Sequence, residues 1–198
     1  MKSLYVFLGR IGSAIDGFSI VLMIVVLLFS WSLTLQSFGQ HFKDVTGSPV
    51  LDLENVQSIL TVEQALTLIN GYSPAAKSLY WSFFIMDNLM PPLVFGSFAL
   101  LWAKLFSSSS AALAKRLLNS PILLVPLGVG LFDWFENLAF ITVLYSAPVA
   151  SASPIMQLGL ILVQLKALCL FATFGLTPVF ILYTGGHWLW QRRQHTKQ

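Results

Sequence analysis

Charge is what this sequence has least of: Asp, Glu, Lys and Arg make up 10% of its 198 residues, where a soluble domain carries roughly 25%. Cysteine is confined to Cys169, and the three histidines are scattered, so no His/Cys cluster can hold zinc. These absences exclude a soluble enzyme domain, a Rossmann or P-loop fold and a zinc module, and neither a cofactor nor a metal is expected. An internal repeat is also missing. The first half of the chain does not resemble the second, so an inverted-repeat transport architecture has no support.

Apolar residues fill the space that charge leaves, at 56% of the chain. Four stretches, at about 14–35, 79–102, 121–145 and 155–183, are long enough at 1.5 Å per residue to cross a hydrocarbon core of ~30 Å. The expected fold is all-α: a polytopic four-helix membrane bundle, residues 1–198 forming one integral membrane domain, with an outer loop over 36–78. The first stretch is too long for a signal-peptide core and ends in Trp31-Ser-Leu-Thr-Leu-Gln36, which reads as an uncleaved anchor.

Basic residues set the expected direction. Eight of them (Lys2, Arg10, Lys104, Lys115, Arg116, Arg192, Arg193 and Lys197) lie on one side, and two, Lys43 and Lys77, on the other. Lys and Arg are retained in the cytoplasm, which predicts a multi-pass protein of the cell (inner) membrane with both termini cytoplasmic. The basic residues are split among three short segments without interleaved aromatics, so no nucleic-acid partner is expected. Trp31, Tyr72, Tyr80, Trp81 and Tyr145 are read as outer-interface residues, and Tyr5, Trp102, Tyr183, Trp188 and Trp190 as inner ones, leaving Trp134 alone at mid-depth. The mixed basic and apolar start, Met1–Arg10, fits a short amphipathic surface helix or a disordered arm.

The outer loop contains its own helix signal. Thr46-Gly-Ser-Pro49 reads as a turn, and Thr61-Val-Glu-Gln64 as a capping box opening an amphipathic helix with Ala65, Leu66, Leu68 and Ile69 on its apolar face. Asn70-Gly71 is expected to stop it in a left-handed conformation, and Ser73-Pro74 to cap the next helix. The Ser107–Arg116 segment reads as a Ser-rich linker followed by basic residues.

Five ionisable residues fall inside the apolar stretches: Asp16, Asp87, Asp133, Glu136 and Lys166. Each central charge costs about 2.5–3.5 kcal/mol on insertion scales, so they must face one another, water or a ligand. Asp16, near one end, reads as an interfacial anchor. The other four reach a common depth, and Asp133, Glu136 and Asn137 share one helix face by their i, i+3, i+4 spacing. Lys166, Cys169, Thr173 and Thr177 form a stripe opposite. Pro91 and Pro92 lack amide hydrogens, which frees the carbonyls of Asp87 and Asn88 beside these groups. Three carboxyls against one ammonium cannot all stay ionised in a low-dielectric layer, so at least one is expected to hold a proton.

Phe132-Asp-Trp-Phe-Glu-Asn137, with Gly71-Tyr-Ser-Pro74 leading to Asp87-Asn-Leu-Met-Pro91 and with Leu165-Lys166, resembles a group of uncharacterised bacterial four-helix membrane proteins that share an Asp-x-x-Glu-Asn pattern in helix three. The likeness spans most of residues 45–170, and it implies the fold without an activity. A looser similarity in layout is to EXPERA-domain proteins, small four-helix proteins with carboxylates in a lipid-facing cavity, although no histidine accompanies the acids here. The expected binding residues are Asp87, Asn88, Asp133, Glu136, Asn137 and Lys166, and the expected partners are membrane lipids or a small amphiphile, with a homo-oligomer as a possible assembly. For a membrane-embedded enzyme acting on a lipid-like substrate, Asp133 and Glu136 are the acid/base candidates and Lys166 the electrostatic one. A proton-coupled transporter or an accessory subunit are further alternatives.

Overall fold

The computed structural model describes residues 2–47, 61–146 and 152–195, and among them no strand occurs. The helices are α1 (Lys2–Ala14), α2 (Gly17–Thr46), α3 (Val62–Asn70), α4 (Pro74–Ser107), α5 (Ala112–Leu118), α6 (Val125–Tyr145) and α7 (Ser153–His195), with a 3₁₀ turn over Pro121–Leu124 before α6. Four segments, α2, α4, Pro121–Tyr145 and α7, are long and apolar enough to cross a membrane.

Their packing follows from side-chain spacing. On α2, Ile24, Leu28, Trp31, Leu35, Phe38 and Phe42 recur at alternating steps of four and three and enter two apolar clusters. On α6 the same rhythm runs through Val129, Asp133, Glu136, Phe140 and Val143, all buried. On α7 it runs through Gly159, Val163, Lys166, Leu170, Thr173 and Thr177. A period of 3.5 keeps one stripe of a helix on its neighbour along its whole length. The ionisable residues therefore occupy seam positions, and the seams carry them inside.

Contacts join α2 to α4, α4 to α6, and α6 to α7, whereas α2 and α7 touch at most marginally. The row of helices is closed at its two ends by apolar clusters. At one end α3 lies across α7 and α6, where Ala65 and Ile69 pack with Phe42, Tyr72, Tyr80 and Met156. At the other, α1, α5 and the 3₁₀ turn surround Trp102, Phe106, Leu123 and Phe180. Gly12 lets α1 approach α4 closely, since a Cβ there would lie 2.6 Å from the Ala103 Cβ and 2.9 Å from the Leu100 carbonyl oxygen.

Several local expectations hold. Thr61 and Gln64 form the reciprocal capping box, Ser73 caps α4 with Pro74 as its first residue, and the start of the chain is helical. Others are corrected. The first apolar helix does not end at Leu35 but continues to Thr46, where Gly47 stops it at φ 67°, so most of what read as the start of the loop is helix. Ser48, Pro49, Asp52 and Glu54 lie outside the described residues. Gly71 is right-handed, at φ −71°; α3 closes through bonds from the Gly71 amide back to Thr67 and Leu68, which need no left-handed residue. Asp16 is outside the helix it was assigned to: it is the N-cap, and its carboxylate accepts from the Ser19 amide at 2.9 Å. Tyr72, Tyr80 and Trp102 are buried in the end clusters. The Ser-rich linker runs into α5.

A Cβ at Gly130 would stand 3.0 Å from Pro92 Cα and 3.1 Å from its ring, neither of which can rotate away, whereas Gly175 has nothing within 4 Å. Gly130→Ala is therefore expected to destabilise the bundle by about 1–3 kcal/mol, and Gly175→Ala to stabilise it by up to about 1 kcal/mol through helix propensity. Thermal unfolding of both variants in one detergent checks the opposite signs.

Candidate functional site

The polar network is built on the seams of three helices. Lys166 Nζ on α7 sits 2.8 Å from Asp133 Oδ1 and 2.8 Å from Glu136 Oε2, both on α6. One residue further along α6, the Asn137 amide donates to Asp133 Oδ2 at 3.3 Å and to Asp87 Oδ2 on α4 at 3.1 Å. All five residues are buried, with relative exposures between 2% and 7%. One ammonium thus binds two carboxylates, and one amide bridges two, so α4, α6 and α7 are tied into a single layer.

Asn88 stands apart from this group. Its side chain donates to the Phe84 carbonyl at 2.6 Å, and it does not line the cavity described below. Its carbonyl, freed by Pro92, accepts the Trp134 indole N–H at 2.6 Å. Trp134 thereby supplies the hydrogen bond that the proline removes.

Beside the network lies a cavity of ≈ 380 Å³. Asp87, Asp133, Glu136, Asn137 and Lys166 form one wall, with Phe83 and Pro91 from α4 and Leu170 from α7 at its margins. The facing wall is α2, through Trp31, Ser32, Leu35, Gln36, Gly39 and Gln40. Residues 32, 36 and 39 each follow a seam residue by one position, so they form a polar stripe rotated about 100° from the apolar seam. Ser32, Gln36 and Gln40 are solvent-accessible although they line the cavity, and α2, which carries them, touches α7 at most marginally. Apolar side chains close it lengthwise: Phe42, Tyr72 and Tyr80 towards α3, and Ile24, Phe95 and Phe98 towards the termini. Past that second cluster the stripe on α7 turns inward on itself. Thr173 and Thr177 donate to their own helix, and Thr177 accepts the Trp102 indole at 2.9 Å.

Five of the six residues singled out by sequence meet in this layer. The α2 wall was missed because the helix was ended at Leu35. The available signal was the spacing of Ser32, Gln36 and Gly39-Gln40, at i, i+4, i+7 and i+8, with no proline before Pro49. Among the described residues no group of His, Cys, Asp and Glu has the arrangement of a metal site. No protein-family model, curated protein or solved structure matches the chain.

Lys166→Met leaves two buried carboxylates without their cation and is expected to cost about 3–5 kcal/mol; adding Glu136→Gln should recover part of that loss. Additive effects in thermal unfolding would show that the pair is uncoupled.

Trp134→Phe orphans the Asn88 carbonyl and is expected to cost about 1–3 kcal/mol. In a Pro92→Ala background, which restores a helical amide, the same change should cost much less. A double-mutant cycle on melting temperature measures the coupling.

Proposed function

We propose that this protein crosses the membrane four times with both termini in the cytoplasm, and that its cavity holds the head of a small amphiphile or lipid. The observation carrying this reading is a polar cavity whose α2 wall is solvent-accessible, next to two helices, α2 and α7, that touch at most marginally and whose outer faces are apolar. Phe18, Phe29, Phe171 and Leu182, on those faces, are exposed by 65–76%, which suits hydrocarbon as the surrounding medium. A head could enter from the bilayer between α2 and α7 while its tail stays in lipid. The apolar closures at both ends favour lateral entry over a pore.

Membrane-embedded acid/base chemistry on a lipid-like substrate is the second reading for the same residues. It is favoured by Asp133 and Glu136, two carboxyls of the cavity wall that share the Lys166 ammonium, so that a proton taken up by one leaves the other still paired with the cation. Proton-coupled transport is less well supported, since Trp102–Thr177 and the phenylalanine cluster block the route beyond the cavity.

Extraction of lipid-soluble material from the purified protein, identified by mass spectrometry, tests the binding reading. Glu136→Gln keeps shape and an acceptor for Lys166, so it is expected to leave melting within a few degrees while reducing the copurifying species several-fold. Loss of stability with unchanged copurifying material would assign the layer to packing alone. For topology, cysteines at Ser58 and Ser151 in a Cys169→Ser background should label from outside intact cells and one at Ser109 should not. External labelling at Ser109 would overturn the orientation.

A further inference from the structure

Hydrogen-bonding capacity around the cavity is unbalanced, and the imbalance selects a headgroup. On the α6–α4 wall, Asp87, Asp133 and Glu136 present carboxylate oxygens. The donors beside them, Lys166 and Asn137, are already directed at those carboxylates. Among the described residues no Arg, His or second Lys lines the space. A phosphate would bring further negative charge to three carboxyls and find no cation to meet it.

The opposite wall asks for something else. The Trp31 indole N–H is buried and has no hydrogen-bond partner among the described residues. Trp31 is one of the residues lining the cavity, and its ring is held edge-on against Phe95, with centroids 6.1 Å apart. An indole N–H donates only, and a buried donor left unpaired is costly. Ser32 and Gln36, on the same wall, can both donate and accept. An ammonium head could answer the carboxylates but could accept nothing from Trp31. A hydroxyl donates to a carboxylate and accepts from an indole, so it suits both walls.

Resting on the amphiphile-binding reading above, we infer that the cavity takes an uncharged, hydroxyl-bearing headgroup, of the acylglycerol or long-chain alcohol class, in preference to phosphate or amine heads. A volume of ≈ 380 Å³ is at the lower end for ligand pockets, which suits a polyol head and the first few methylenes. The rest of the chain lies between α2 and α7.

Three amphiphiles with one oleoyl-length chain and different heads test the inference: 1-monooleoylglycerol, oleylamine and oleoyl lysophosphatidic acid. They are mixed equally into phosphatidylcholine nanodiscs holding the full-length protein, and the species retained by the protein are quantified by native mass spectrometry. The expected result is about tenfold enrichment of monooleoylglycerol over the other two. Trp31→Phe and Gln36→Leu should each lower it by about three- to tenfold without altering melting; the second variant stands if the first disturbs packing on Phe95. Enrichment of oleylamine or the lysophosphatidic acid, reduced by Gln36→Leu, would overturn the headgroup assignment and leave amphiphile binding intact. No enrichment of any species, or enrichment that neither variant changes, would overturn both.

Discussion

One ammonium shared by two carboxylates is the interaction around which the bundle is arranged. Lys166 lies in the seam of α7, and Asp133 and Glu136 lie in the seam of α6. A one-residue rotation of either helix would leave charged groups unpaired in an apolar setting, at a cost of several kcal/mol. Apolar seams of Leu, Val and Phe tolerate small rotations, whereas a charged seam admits one register. Asn137 extends the same constraint to α4 through Asp87. Three helices are thereby held at a single depth by one buried layer.

Helix α2 is free of that layer, and its freedom creates the cavity. It rests on α4 through an apolar seam and is joined to the rest mainly at its ends, by Phe42 under α3 and by the α1–α2 junction at Asp16. Its polar stripe faces the charged wall, but the hydrogen bond of Gln40 runs to Asp44 on its own helix. The space between a locked wall and an unlocked one is where a guest would fit without breaking existing bonds. That division supports the proposed role, because the charged wall is fixed by bonds among its own side chains, while Ser32 and Gln36 on α2 stand outside that layer.

Proline and glycine reinforce the same geometry. Pro92 and Gly130 are in contact where α4 crosses α6, and the close approach places Trp134 within reach of the carbonyl that Pro92 frees. A helix defect in one element is thus repaired by a side chain of the next. Asp87, five residues before Pro92, is held at the same crossing.

Much of this was legible in the sequence, for a physical reason. Hydrophobic length, side-chain spacing and the insertion cost of charge act locally, so the four long helices, the capping box at Thr61, the caps at Ser73-Pro74 and the meeting of Asp87, Asp133, Glu136, Asn137 and Lys166 could be read from one chain. What tertiary structure alone decided was partnership. Lys166 chose Asp133 and Glu136 over Asp87, since α6 packs against α7 far more extensively than α4 does and carries both of those acids at the level of Lys166. The Asn88 carbonyl went to Trp134, because only the crossing at Gly130 brings that indole close. The second wall of the cavity belongs to α2, whose Gln36, Gly39 and Gln40 resemble loop residues until the helix is seen to continue past Leu35. Local chemistry sets which groups must be satisfied; the packing of distant helices sets which groups satisfy them.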